Sequence, residues 1–161
     1  MDPPRKKVAN AWLLLAAVIA LHVTDEAATG FLSVYNPTVI ELRQYFPWFP
    51  VPFPVFSFAA WLGGLALAIL LMVFCTPLIL KGVRWVRPAA YFVGVLMVLN
   101  GILHIAGTIA GRTFADVTFP RPMPGFYSSP FLIAAAFFLL WRLRDSSRTR
   151  TSPPIESTAK S

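Results

Sequence analysis

Apolar residues run almost unbroken through four stretches, about 10–34, 55–80, 87–110 and 126–142, with segments rich in Pro, Gly and charge between them. A bilayer core ~30 Å thick takes about 20 helical residues to cross, and each stretch reaches or approaches that length. The pattern predicts an all-α, integral-membrane four-helix bundle over 10–143. The fourth stretch is the shortest; Ser128 or Ser129 stands where a helix cap belongs, and Pro130 suits the first helical position. Residues 1–9 read as a basic N-terminal arm. Residues 144–161, made of Ser, Thr, Pro and charge, read as a disordered tail.

The connection between the first two spans has its own pattern. Its sequence, YNPTVIELRQYFPWFPVPFP over 35–54, joins a short amphipathic piece to a Pro and aromatic run. Pro47, Pro50, Pro52 and Pro54 oppose a regular helix, while Phe46, Trp48, Phe49 and Phe53 favour the headgroup interface. We expect an interfacial loop across the outer mouth of the bundle, serving as an anchor or as a gate for a greasy substrate.

Composition and charge narrow the class. The chain has 161 residues, 57% hydrophobic and 13% charged, with a net charge of +7. The basic residues flank apolar runs and form no polar domain of their own, which argues against a nucleic-acid partner and for membrane lipids. Three Lys and Arg lie before the first span, three between the second and third (Lys81, Arg84, Arg87) and five in the tail. The other two connections hold only Arg43, Arg112 and Arg121. That bias predicts both termini on the cytoplasmic side of the plasma (inner) membrane. The N-terminal run lacks a convincing cleavage site and reads as a retained signal anchor. Cys75, the single cysteine, reads as a small buried hydrophobe. Gly63, Gly64, Gly107 and Gly111 are expected at close helix contacts, and Pro77 at a kink or helix end.

Against this background the polar residues inside the spans stand out. His22 and Glu26 are spaced i and i+4, so they share a helix face with Asp25 beside them. His104 sits in the third span with Asn100 one turn before it and Thr108 one turn after. His22 lies 15 residues past Lys7, and His104 lies 17 past Arg87. At ~1.5 Å per residue the two imidazoles differ in depth by only about 3 Å. One cluster of His22, Asp25, Glu26, Asn100 and His104 is therefore expected.

These residues carry a resemblance. HVTDE at 22–26, NGILH at 100–104 and PMPG at 122–125 resemble the motifs of the small integral-membrane proteins named for HXXEE. Asp25 takes the place of that family's first glutamate, and Pro122 that of the tyrosine in its YxPG motif. The family is one of mostly unknown function, so the resemblance implies membership and a site location, over about residues 10–140.

Charged groups in hydrocarbon are expensive and mark functional sites by default. The first reading is acid–base chemistry, an isomerase or protonation-initiated cyclase acting on an isoprenoid- or sterol-like substrate without a cofactor. Two adjacent carboxylates cannot both ionise cheaply there, which would make Glu26 a proton donor tuned by Asp25, with His22 and His104 as relay or base. Aromatic rings, among them Trp12, Phe31, Tyr35, Trp48, Phe49 and Phe92, would stabilise a carbocation. Asn100, Tyr35, Trp48, Phe49, Thr108 and Tyr127 are the expected substrate contacts. The second reading is a Zn or Fe hydrolase with His22, Glu26 and His104 as ligands; two carboxylates beside two histidines would, however, nearly close a tetrahedral site. The third is a non-enzymatic network that fastens helices or relays protons.

Overall fold

The computed structural model describes residues 3–48 and 53–151, with side chains to 147. The protein is all-helical, with five helices and no strand among the described residues: α1 (Pro3–Thr29), α2 (Leu32–Tyr45), α3 (Phe58–Lys81), α4 (Val86–Ala110) and α5 (Ser129–Thr151).

Three of them, α1, α3 and α4, are long and apolar enough to cross a membrane. Four spans were expected. The expected fourth corresponds to α5, whose unbroken apolar part runs only from Phe131 to Trp141, about 17 Å of helix at 1.5 Å per residue. Arg142 and Arg144 follow it.

Helix α1 is the axis of the molecule. Ala11, Leu15 and Ala16 on it are fully buried, as are Leu132, Ala136 and Leu139 on α5. Helix α1 packs between α3 and α5, and α5 between α1 and α4. The Trp12 indole N–H donates to the Met72 carbonyl at 2.7 Å, which satisfies a donor that burial removes from water. Arg5 donates to the Lys81 carbonyl and Arg87 to that of Leu143, so α1 and α4 start at one end of the bundle and α3 and α5 finish there. Outward faces are greasy, with Leu67, Leu70, Leu71 and Phe74 of α3 exposed.

Several boundaries differ from the expected ones. Helix begins at Pro3, inside the arm expected at 1–9, because two prolines suit a first helical turn. It stops at Thr29 and not at residue 34, since Gly30 adopts a left-handed φ of +79°. The segment expected as an interfacial loop is partly helical: α2 spans Leu32–Tyr45 with Pro37 inside its first two turns. The aromatic run follows it, and Phe49 lies outside the described residues. At the other end α5 continues through Thr151 into the segment expected to be disordered; residues 152–161 lie outside the described residues.

The glycine expectation also shifts. Nothing lies within 4 Å of a Cβ built on Gly63 or Gly64. Close contact occurs between α4 and α5 instead, where a Cβ on Gly94 would meet Leu140 at 2.8 Å and one on Gly101 would meet Ile133 at 2.6 Å.

Candidate functional site

The i, i+4 spacing on α1 aims His22 and Glu26 at α4, and the matched depth of the two spans brings His104 to meet them. The His22 and His104 rings lie 4.9 Å apart, centroid to centroid, in an edge-to-face arrangement. One carboxylate oxygen, Glu26 Oε1, sits 3.1 Å from His104 Nε2 and 3.4 Å from His22 Nε2. All three side chains are buried, at 3–4% exposure. Asn100 Oδ1 adds a contact at 3.1 Å to His22 Nε2.

Asp25 belongs to a different part of the network. Its Oδ2 accepts from the Ser128 backbone N–H at 2.9 Å and the Ser128 hydroxyl at 2.7 Å. That hydroxyl in turn lies 2.8 Å from His22 Nδ1. With the Ser128 proton donated to Asp25, His22 Nδ1–H donates to Ser128 Oγ, and a neutral His22 is left with a lone pair on Nε2. That lone pair would face two oxygens, of Glu26 and Asn100. Turning the Asn100 amide over relieves one contact and leaves the carboxylate. A positive charge, either a proton or a metal ion, resolves the clash.

Ser128 and Gly125 are the site residues that the pattern of the spans does not reveal. Ser128 precedes α5, and its hydroxyl turns sideways into the site. Gly125, in the PMPG segment, has a φ of +84°, and a Cβ there would approach Glu26 Cγ and His104 Cε1 to 2.9 Å. The bonds that hold the loop include Gly125 N–H to Thr29 Oγ1, Met123 N–H to Thr108 Oγ1, and Ser129 Oγ to the Gly125 carbonyl.

The remaining expected contacts are placed variously. Thr108 pins the PMPG loop and donates to its own helix at the His104 carbonyl. Trp48 and Tyr127 are exposed, as is Phe92, while Trp12 is buried between α1 and α3. Phe31 lies beside the site, its ring 5.7 Å from that of His104, 5.8 Å from Trp61 and 5.5 Å from Tyr35. The Tyr35 hydroxyl donates to the Pro54 carbonyl; burial pushes this phenol up from its ordinary value, and Arg43 opposes that. Arg112 and Asp116 pair at 2.9 Å on the exposed surface.

A cavity of about 130 Å³ opens beside Glu26, lined by Ala27, Gly30, Phe31, Phe58 and Trp61 among others. Its walls are almost wholly apolar, so Glu26 supplies the chemistry and the rings supply the shape.

Comparison with known proteins adds no relative: no protein-family model, no curated protein and no solved structure matches the chain.

His22, Glu26 and His104 each offer a ligand atom, and these atoms lie within 4.8 Å of one another. For zinc at ~2.0–2.1 Å from its ligands, the edges of a tetrahedron are about 3.3–3.4 Å, close to the 3.4 and 3.1 Å found between the carboxylate and the imidazoles. A ligating histidine ordinarily donates its other ring N–H to an orienting group, which Ser128 supplies to His22. The donor set fits a first-row metal such as Zn or Fe.

Proposed function

We propose that the protein is a metal-dependent membrane enzyme, a hydrolase of lipophilic esters or amides, with His22, Glu26 and His104 as ligands of Zn or Fe. The observation that carries this reading is the single Glu26 oxygen flanked by two buried imidazole nitrogens. The objection that two carboxylates would close the site is met by the partners of Asp25, which accepts from Ser128. Three ligands leave a fourth position, as catalytic zinc sites require. A zinc ion there would act as a Lewis acid and make water nucleophilic near neutral pH.

The chain's own residues do the rest. Ser128 orients His22, Asp25 holds Ser128, and Gly125 seats the loop against His104. The apolar cavity excludes water and takes the hydrocarbon part of a substrate from the bilayer. The proposal includes four membrane-embedded helices with both ends of the chain cytoplasmic, supported by the basic flanks. It also includes membership of the HXXEE-motif family, supported by the convergence of the three motifs on one centre.

Acid–base catalysis without metal is the second reading, favoured by two observations. A continuous path of contacts runs from Asp25 through Ser128 and His22 to Glu26, and the buried Nδ1 of His104 has no partner among the described residues.

Hydrolysis of p-nitrophenyl esters of graded chain length and isomerisation of an isoprenoid alkene, with the protein in nanodiscs, test the two readings. Activity that is lost to a chelator, restored by zinc and absent in His104→Ala supports the metal reading. Chelator-insensitive turnover that disappears in Glu26→Gln supports the acid–base reading instead.

A further inference from the structure

The end of the bundle opposite the His–Glu centre holds a second, larger cavity, of about 430 Å³. It lies where the first turns of α1 and α4, the connection between α3 and α4, and α5 at Leu143 and Ser146 come together. Arg5 and His22 are 17 residues apart on one helix, about 25 Å at 1.5 Å per residue, so the cavity is independent of the centre described above.

Its lining combines cationic and apolar side chains. Arg5, Arg84 and Arg87 line it together with Val8, Ile79 and Leu143, and no carboxylate among the described residues does. Two guanidiniums are fixed in place: Arg5 Nη1 donates to the Lys81 carbonyl at 3.1 Å, and Arg87 Nη2 to the Leu143 carbonyl at 2.7 Å and to Ser147. Arg84 is exposed and makes no hydrogen bond or ion pair among the described residues, so its donors remain available. The start of α4 adds charge of the same sign, since its first residues line the cavity and Trp85 provides no side-chain cap.

We propose that this cavity is a binding site for a phosphate-bearing amphiphile, an anionic phospholipid whose headgroup meets Arg84 and Arg87 and whose acyl chains lie against Val8 and Ile79. Arg84 and Arg87, with no acid among the described lining residues, favour an anion, and arginine is the side chain best shaped for phosphate. The apolar lining adds a hydrocarbon portion to that anion. Basic pockets between spanning helices bind acidic headgroups in this way. A free phosphate would satisfy the arginines alone.

Native mass spectrometry of the full chain, released from nanodiscs of mixed phosphatidylglycerol and phosphatidylcholine, tests the site. One phosphatidylglycerol should be retained preferentially, and Arg84→Gln should lower that preference about fivefold, the effect of ~1 kcal/mol for one arginine near a lipid surface. Arg84→Glu should abolish it, while Arg112→Gln, which removes a charge elsewhere, should leave it intact. Competition by millimolar inorganic phosphate would assign the site to phosphate chemistry without the lipid and overturn the lipid as occupant. Equal retention of the two lipids, or retention unchanged in both Arg84 variants, would overturn the proposal altogether.

Discussion

Gly125 lies so close to His104 that a Cβ on its backbone would come within 2.9 Å of Cε1 and 3.0 Å of Nδ1. Its φ of +84° adds a second reason for glycine. Gly125→Ala should therefore cost about 1–3 kcal/mol in stability and displace the imidazole. Thermal unfolding in detergent, read beside metal content, checks this. An alanine variant unchanged in both would mean that the PMPG loop does not hold the ring.

Ser128 links Asp25 to His22. Ser128→Ala should weaken metal binding about 10–100-fold, the usual effect of removing an orienting partner, and Ser128→Thr should restore most of it. Titration against a chelator of known affinity measures the difference. Equal affinity in wild type and alanine variant would show that His22 is oriented by other contacts.

In the proposed hydrolase the apolar cavity would set chain preference. Trp61 is a buried wall of it, so Trp61→Phe should admit bulkier chains. With alkyl hydroxamates of increasing length as competitors of ester hydrolysis, the preferred length should move upward by about one to three methylenes, at ~0.8 kcal/mol for each newly buried CH₂. A preference that does not move would place the substrate elsewhere.

Asn36 ties α2 to the returning chain by two bonds, donating to the Phe56 carbonyl at 2.9 Å and accepting from the Phe56 N–H at 3.1 Å. Arg43 and Tyr35 hold the neighbouring carbonyls of Phe53 and Pro54. Asn36→Ala should cost about 1–3 kcal/mol through the two unpaired groups left behind and speed hydrogen exchange of Val55 and Phe56. Unaltered exchange would show that the strap is held by its rings alone.

Much of this site was legible because helices impose simple geometry. The i, i+4 spacing joined His22 to Glu26, and counting from the basic flanks matched the depth of His104. Side-chain direction within the pair of acids was not legible: adjacency suggested that Asp25 and Glu26 interact, yet consecutive helix positions diverge by about 100°, and Asp25 turns to Ser128. Nor does periodicity announce loop residues, which is why the roles of Ser128 and Gly125 emerge only from tertiary contact. The clues available were the PMPG motif, which contains Gly125, and Ser128 as a candidate helix cap.

The limits of local rules also explain the fold. Proline in a helix interior is disfavoured, yet Pro37 is the sixth residue of α2, where it removes one i to i−4 bond, and the helix continues to Tyr45. Glycine pairs suggest helix contact, but which glycines meet a neighbour depends on helix rotation, and Gly94 and Gly101 face α5 while Gly63 and Gly64 face open space.

Metal content of the purified full chain, by inductively coupled plasma mass spectrometry, tests the central claim most directly. We predict about one equivalent of zinc or iron per chain, matching a site of three protein ligands, and its loss in His22→Ala and in His104→Ala with the helical circular dichroism retained. Protein that stays folded, takes up no metal when supplied with either ion, and behaves identically in both variants would contradict it.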